Sequence, residues 1–212
     1  MKERPDVKAS TKEKILDAAE KLFGMNGFEA TSLRDITAAA EVNLAAVNYH
    51  FQSKEALMES VISRRIHPVN RRRLELLDSA GENPTVEQVI RAFLAPVFLE
   101  ANLGGVPSLI GRVLADPGQF LKKLFPEEFA PLTRRFAEAF GRALPELTPR
   151  EVAWRMHFMI GSMTHVLLWK RHIKEMSGGL VDASDREGLM AEAVAFCAAG
   201  FRAPVVVGIE RS

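Results

Sequence analysis

Three helix starts follow one another closely within residues 31–57, and their spacing restricts the fold more than any other feature of the chain. Ser32, Asn43 and Ser53 are each suited to the N-cap position, because their side-chain oxygens can accept a hydrogen bond from the free N–H groups of a helix start. Asp35 follows Ser32 at the spacing of a capping box. The segment therefore predicts two short helices and then the beginning of a third, longer one.

Apolar residues continue at helical spacing along the whole chain, and no alternating run indicates a strand. A first helix is expected over about Thr11–Asn26, with Gly27 as a left-handed stop. After Ser53, a long helix should run toward Leu77, with a kink or break at Pro68 because proline removes a backbone hydrogen bond. The arginine run of residues 64–73 favours a solvated helix face or ion pairs within the protein over contact with DNA. The pattern predicts an all-α fold.

The helix expected over about Leu44–Phe51 has two different faces. Leu44, Val47 and Phe51 recur at i, i+3 and i+7 and should be buried. The residues of the other face are small or polar, and they are Ala45, Asn48 and Tyr49, flanked by Ala46 and His50. A face that is merely solvated is the alternative to a functional one.

Two short helices joined by a tight turn predict a helix-turn-helix, whose second helix enters a DNA major groove about 12 Å wide. Ala45 and Ala46 would let the backbone approach the base edges, and Asn48 can pair with adenine. The residues with donors suited to phosphate are Tyr49, His50 and Lys54. Glu41 occupies a turn position that would favour glycine if its φ is positive, at a cost of about 1 kcal/mol.

Further helices are expected in the rest of the chain. Their approximate ranges are Thr85–Glu100, Gly118–Leu144, Thr148–Met176 and Asp185–Phe201. Bulky apolar residues of this part of the chain, together with Arg112, are candidates for an effector pocket: Phe93, Val97, Phe98, Leu109, Arg112, Phe120, Phe129, Phe136, Met156, Met159 and Met163. For each of the apolar ones taken singly, an ordinary core position is the more frequent explanation. Cys197 should be a small buried residue.

Composition narrows the function classes. Apolar residues make up 47% and charged residues 26% of the 212 residues, as in a soluble globular protein. A single cysteine excludes an internal disulfide, and no spacing of Cys and His predicts a metal site or other cofactor. No signal peptide or membrane span is evident, so a cytoplasmic location is expected. An enzyme using His157 or His165 lacks any supporting motif, and a net charge of +1 argues against a constitutive architectural DNA binder.

The stretch ATSLRDITAAAEVNLAAVNYHFQSKEAL, with LFGMNGF before it, resembles the DNA-binding domain of the tetracycline-repressor (TetR) family of bacterial transcription regulators. The resemblance implies an all-α homodimer with a DNA-binding domain over residues 1–56, a linking helix over about 53–79, and an effector-binding and dimerisation domain over 57–212. Carried over by position, the phosphate contacts would be Thr31, Ser32, Tyr49, His50 and Lys54, and the residues facing bases would be Ala45, Ala46 and Asn48. The partners expected are an inverted-repeat operator in double-stranded DNA, a second copy bound through the last two helices, and a small effector that releases the repressor from DNA. An elongated, mostly apolar effector, such as an acyl chain with a polar or anionic head, fits the Phe and Met of the C-terminal part.

Overall fold

The computed structural model describes residues 10–100, 125–170 and 172–205, and the regular elements within these ranges are all helical. The predicted all-α fold class is therefore confirmed. The described residues form two compact units, the first of residues 10–65 and the second of the remainder.

The helices follow in chain order. They are α1 (Thr11–Asn26), α2 (Leu33–Ala40), α3 (Leu44–Phe51), α4 (Lys54–Ser79), α5 (Val86–Ala95), α6 (Ala130–Ala143), α7 (Pro149–Trp169), α8 (Ile173–Met176) and α9 (Arg186–Arg202). Two π-helical turns accompany them, Pro96–Glu100 directly after α5 and Phe125–Phe129 directly before α6.

The three predicted N-caps are confirmed. The side-chain oxygens of Ser32, Asn43 and Ser53 each accept a hydrogen bond from the backbone N–H three residues later, at 3.2, 2.9 and 3.0 Å. The side chain of Asp35 in turn accepts from the N–H of Ser32 at 2.9 Å, which completes the capping box. These local bonds explain why helices of only eight residues form at this point of the chain.

The first unit is built around α1, which packs against α2 and α3. Ile15, Phe23, Ile36 and Val47 are fully buried in its core. The expected burial of Leu44 was wrong, since this side chain is 43% exposed. Leu44 shares the side of α3 that carries Val47 and Phe51, but it is the first residue of the helix, where this side is not fully covered.

Three described residues of the first unit have positive φ, and they are Gly27, Glu41 and Gln52. Glu41 is left-handed at φ 54° and ψ 46°, as the turn after α2 requires. Gly27 also has a positive φ of 86°, but its ψ of 170° shows that the predicted left-handed helical stop was wrong. This ψ turns the Gly27 carbonyl toward Thr31, whose hydroxyl donates to it at 2.7 Å.

Helix α4 is continuous from Lys54 to Ser79 with Pro68 inside it, so the break considered for this position was wrong. Ile66 and Val69, on either side of Pro68, are both buried. Burial of apolar residues on both sides stabilises the helix and offsets the backbone hydrogen bond that proline removes.

The second unit has one large apolar core to which α4, α5, α6, α7 and α9 contribute. Phe140 stacks on Phe201 with ring centroids 4.0 Å apart. The helix predicted to reach Met176 ends earlier, at Trp169, because the N–H of His172 donates to the Trp169 carbonyl in a tighter turn than an α-helix allows. The predicted start of the helix at Gly118 lies outside the described residues.

Candidate DNA-binding surface

The turn between α2 and α3 fixes the angle at which α3 leaves the core of the first unit. The N–H of Glu41 donates to Ala38 at 3.3 Å, and the N–H of Val42 donates to Thr37 at 3.0 Å. Ile36 and Val47 are fully buried, one on each helix. The geometry is that of a helix-turn-helix in which α3 presents one face outward.

The outward face of α3 consists of small and polar side chains, most of which are exposed. Tyr49 is 83% exposed, and Ala45, Asn48 and His50 are exposed as well, while Ala46 is half-buried. Within the described residues, the side chains of Asn48 and Tyr49 make no hydrogen bond. The rings of Tyr49 and His50 meet edge to face with centroids 5.0 Å apart. The donors of this face are therefore available to an external ligand.

Lys54 stands at the start of α4, next to the N-cap Ser53. Its ammonium group lies 4.3 Å from the centroid of the Phe28 ring, which holds the half-buried side chain by a cation–π contact. A helix start also offers free N–H groups and the positive end of the helix dipole. Sequence reasoning missed Phe28, because no local pattern connects it with a lysine 26 residues later.

Ser32 and Thr31 are adjacent but differently placed. Ser32 is exposed, and its hydroxyl bonds to the side chain of Asp35 at 2.7 Å. This bond and the one from the Ser32 N–H hold the pKa of the Asp35 carboxyl below its usual value. Thr31 is only 1% exposed, and its hydroxyl donates to the carbonyls of Gly27 and Leu22. The structure thus places Thr31 in the interior, away from the surface that the other predicted contact residues share.

An ion cluster joins α1 to α4 within the first unit. Arg64 contacts Glu13, Asp17 and Glu20 at 3.1, 2.8 and 2.6 Å, and Arg65 contacts Glu20 at 3.0 Å. The spacing of the three acids on one face of α1 was a signal that could have predicted this cluster. This ion cluster fixes α4, the helix that carries Lys54, against α1.

The residues predicted for an effector pocket are distributed as follows. Those buried in the core of the second unit are Phe93, Val97, Phe98, Phe136, Met156 and Met159, and those half-buried are Phe129 and Met163. Leu109, Arg112 and Phe120 lie outside the described residues. Burial alone does not separate a pocket lining from an ordinary core.

A second exposed surface, of apolar character, lies on α7 and α9. Trp154, Phe158 and Phe196 are 54%, 66% and 70% exposed, and the rings of Trp154 and Phe158 stack at 5.8 Å. Next to them is a shallow apolar depression lined by Arg155, Phe158, Met159, Phe196, Cys197, Gly200 and Phe201. Large aromatic side chains concentrated on neighbouring helices indicate an interaction surface.

The two histidines considered for catalysis, His157 and His165, are both exposed on α7. No three His, Cys, Asp or Glu of the described residues lie together as a metal site requires. In the same part of the chain, no helix is both long and apolar enough to cross a membrane.

Comparison with known families gives the relationship directly. The family model described as bacterial regulatory proteins, tetR family, matches residues 15–61, and that described as tetracyclin repressor-like, C-terminal domain, matches residues 91–200. The chain belongs to the TetR family. The first match covers most of α1, all of α2 and α3, and the beginning of α4, so the helix-turn-helix described above lies within it.

Individual relatives agree with this assignment over part of their length. The chain is 35% identical over 92 residues to a probable HTH-type transcriptional regulator, YttP, of Bacillus subtilis, an alignment that covers 43% of this chain and 42% of the relative. It is 30% identical over 91 residues to the HTH-type transcriptional repressor KstR2 of Mycolicibacterium smegmatis, covering 43% of each. The chain thus matches less than half the length of these relatives.

Solved structures resemble the fold over most of the chain. A transcriptional regulator from Aquifex aeolicus has a TM-score of 0.59 at 20% identity, covering 88% of this chain and 99% of its own. A putative tetR family regulator from Shewanella has a TM-score of 0.64 at 17% identity, covering 87% and 98%. At these identities the likeness concerns the fold.

Proposed function

We propose that this TetR-family chain is a homodimeric repressor that binds an inverted-repeat operator and releases it when a small, mostly apolar effector binds. The observation that supports DNA binding best is the outward face of α3, where Asn48 and Tyr49 are exposed and their side chains make no hydrogen bond within the described residues. A folded protein gains nothing in its own stability from leaving an aromatic residue so exposed. The same face can offer donors to base edges and phosphates.

In the proposed complex, Ala45, Ala46 and Asn48 face base edges, and Asn48 pairs with an adenine. The proposed phosphate contacts are Ser32, Tyr49, His50 and Lys54. Thr31 leaves this set, because its buried hydroxyl already donates its one proton inside the first unit, to the Gly27 carbonyl at 2.7 Å. Its role is to hold the connection between α1 and α2.

Selection of bound fragments from a random DNA library tests the proposal. A symmetric dimer should select an inverted repeat whose half-site centres lie about one helical turn, or a multiple of it, apart. Direct repeats, or no enrichment of any sequence, would contradict the proposed mode of binding.

Two variants then separate base reading from phosphate binding on the selected site. Asn48→Ala should lose about 1–3 kcal/mol at the preferred sequence and little on random DNA. Lys54→Ala should weaken binding to all sequences alike and reduce the slope of log affinity against log salt by about 1. Arg134→Ala is the charge control, because it removes one exposed positive charge from the second unit. A Lys54→Ala protein with an unchanged slope would refute the phosphate contact.

We further propose that two copies associate through α7 and α9, which would form a four-helix interface. Phe158 and Phe196 supply exposed apolar area for it, and Phe196→Lys should shift sedimentation toward the monomer. Met25→Lys is a matched control in the first unit, since Met25 is 69% exposed against 70% for Phe196. A monomeric wild-type chain at micromolar concentration, or a dimer that Phe196→Lys leaves intact, would contradict this interface.

For the effector, we propose that the C-terminal domain binds an elongated apolar molecule among the Phe and Met side chains of its core. Adaptable Met and aromatic side chains are suited to such a ligand. Release from DNA requires that the effector favours a non-binding conformation, and a shift from about 1:99 to 99:1 takes roughly 5.5 kcal/mol of differential affinity. Calorimetric titration with and without operator DNA measures this difference, and equal affinities would rule out effector-driven release.

A further inference from the structure

Arg73, on α4, is the one buried cation among the described residues, with 4% of its surface exposed. Its Nε donates to the carbonyl of Phe93 at 2.8 Å, and its Nη1 donates to Oδ1 of Asn70 at 3.1 Å. The partner of Nη2 is the sulfur of Met163 at 3.4 Å, and the guanidinium lies 4.0 Å from the centroid of the Phe93 ring. All four partners are electrically neutral.

A buried charge is ordinarily paired with an opposite charge. No carboxylate of the described residues pairs with Arg73. Desolvation lowers its pKa to about 9, so the group still carries its charge at neutral pH. A guanidinium has five N–H donors, and the partners of Arg73 occupy three of them, one with the weak acceptor sulfur. Each terminal nitrogen thus keeps one N–H for a further acceptor.

The neighbours of Arg73 hold this arrangement in place. Nδ2 of Asn70 donates to the carbonyl of Glu128 at 2.8 Å, which turns Oδ1 of Asn70 toward the guanidinium. Glu128 belongs to the π-helical turn Phe125–Phe129, and π-helical turns occur frequently at functional sites. Phe93 also meets Phe136 edge to face at 5.1 Å. A charged group is therefore fixed among aromatic and Met side chains.

We propose that Arg73 binds the carboxylate of an anionic, otherwise apolar effector through the edge formed by its two terminal nitrogens. This inference rests on the proposed function, and it assigns the head group and its binding residue. A carboxylate fits because its two oxygens match the two terminal nitrogens of one guanidinium in a planar, bidentate pair. Its single negative charge balances the single buried positive charge. The apolar tail would contact the surrounding side chains, Phe93, Phe136 and Met163.

The test compares acids with alcohols of the same chain length on the full-length protein. The probes are the straight-chain acids from octanoate to hexadecanoate and the corresponding alcohols, with affinities measured by calorimetry. The wild type should prefer the best acid over its alcohol by about 10- to 100-fold, the range expected for a charged hydrogen-bonded pair. Arg73→Met should bind both alike. The ratio of acid affinity to alcohol affinity is measured on one and the same protein. A general loss of structure would lower both affinities and would not by itself remove the preference for the acid.

Arg72→Met is the matched control, because Arg72 is an exposed neighbour on α4 that pairs with Glu100 at 2.9 Å. It should keep the preference for acids. Without ligand, the Tm of Arg73→Met should not fall below that of Arg72→Met, since an apolar residue replaces an uncompensated buried charge. A lower Tm would assign Arg73 to the fold itself and overturn the inference.

The remaining outcomes separate this inference from the proposed function. If the wild type binds acids and alcohols equally, or if Arg73→Met keeps the preference, the role of Arg73 is refuted while an apolar effector stands. If no acid or alcohol of the series binds to the wild type, the apolar-effector proposal fails and the inference fails with it.

Discussion

Glu20 should be the acidic residue on which the stability of the first unit depends most. Its side chain is 9% exposed, and it contacts Arg64 at 2.6 Å and Arg65 at 3.0 Å. Arg64 keeps two further acidic partners, Glu13 and Asp17, which are 50% and 67% exposed. Removing the charge of Glu20 therefore breaks the most buried part of the cluster and leaves its exposed part in place.

Glu20→Gln keeps the shape of the side chain, but it removes the negative charge and replaces one acceptor oxygen with an NH2 group that cannot accept from a guanidinium. Loss of the charge should weaken each of the two contacts by about 1–1.5 kcal/mol. Breaking a fully buried ion pair costs about 3–5 kcal/mol, but Arg64 and Arg65 are 21% and 39% exposed and can regain water. The expected loss of unfolding free energy is about 2–3 kcal/mol. Glu13→Gln touches the same arginine from an exposed position and should cost at most about 0.5 kcal/mol.

Hydrogen–deuterium exchange of the amides of α1 measures this loss in the unit concerned. A loss of about 2–3 kcal/mol corresponds to a fall in protection of about 30- to 160-fold. Urea unfolding followed by tryptophan fluorescence reports on the second unit, because both tryptophans, Trp154 and Trp169, lie there. That transition serves as an internal reference.

The prediction also specifies a salt dependence. Salt screens exposed pairs more than buried ones, so the effect of Glu13→Gln should disappear at high salt while that of Glu20→Gln persists. Equal protection of α1 in Glu20→Gln and the wild type would refute the reasoning. A large loss of α1 protection in both variants would show that the exposure of an ion pair does not determine how much it contributes to stability.

Three further predictions concern other local features. Thr31→Val removes the hydroxyl that donates to Gly27 and should cost about 1–2 kcal/mol, measured by hydrogen–deuterium exchange of the α1 amides. It should not change the salt slope of DNA affinity, and a reduced slope would restore Thr31 as a phosphate contact. Glu41→Gly should change the unfolding free energy by less than about 0.5 kcal/mol, because relief of left-handed strain is offset by the greater freedom of glycine in the unfolded chain. Glu41→Val should cost more than about 1 kcal/mol, because the left-handed conformation strains valine. Burial raises the pKa of the Cys197 thiol, so alkylation of this thiol should be slow in the wild type. It should be about tenfold faster in Phe196→Lys, because this change opens the proposed dimer surface. Equal alkylation rates in the two proteins would contradict that surface.

Local rules were sufficient to predict the helix starts of the first unit. Ser32, Asn43 and Ser53 act through hydrogen bonds to residues three positions away, so the sequence contains all the information that these caps need. The outward face of α3 could be predicted for a similar reason. Helical spacing determines which residues share a face, and Val47 and Phe51 are buried as that spacing requires.

Features that depend on distant parts of the chain could not be predicted in this way. Thr31 is buried because it bonds to the end of α1, whereas the resemblance to the family placed it among the phosphate contacts. Arg73 belongs to a run of arginines that suggests a solvated face, yet its partner Phe93 lies 20 residues later and Met163 lies 90 residues later. Burial of a charge depends on such contacts, and no short pattern records them.

The exposed aromatic residues of α7 and α9 allow an estimate of the free energy that apolar burial would contribute to the proposed dimer. A phenylalanine side chain buries about 150–250 Å² when fully covered. Phe158 and Phe196 are 66% and 70% exposed in the single chain. Covering each would remove about 130 Å² from water and contribute roughly 3 kcal/mol at about 25 cal/mol per Å². The four side chains of a symmetric dimer would then contribute about 12 kcal/mol, which falls within the estimated cost of association of about 4–15 kcal/mol. These phenylalanines alone would therefore not secure a tight dimer, and Trp154, 54% exposed beside Phe158, is the residue we expect to supply the remainder.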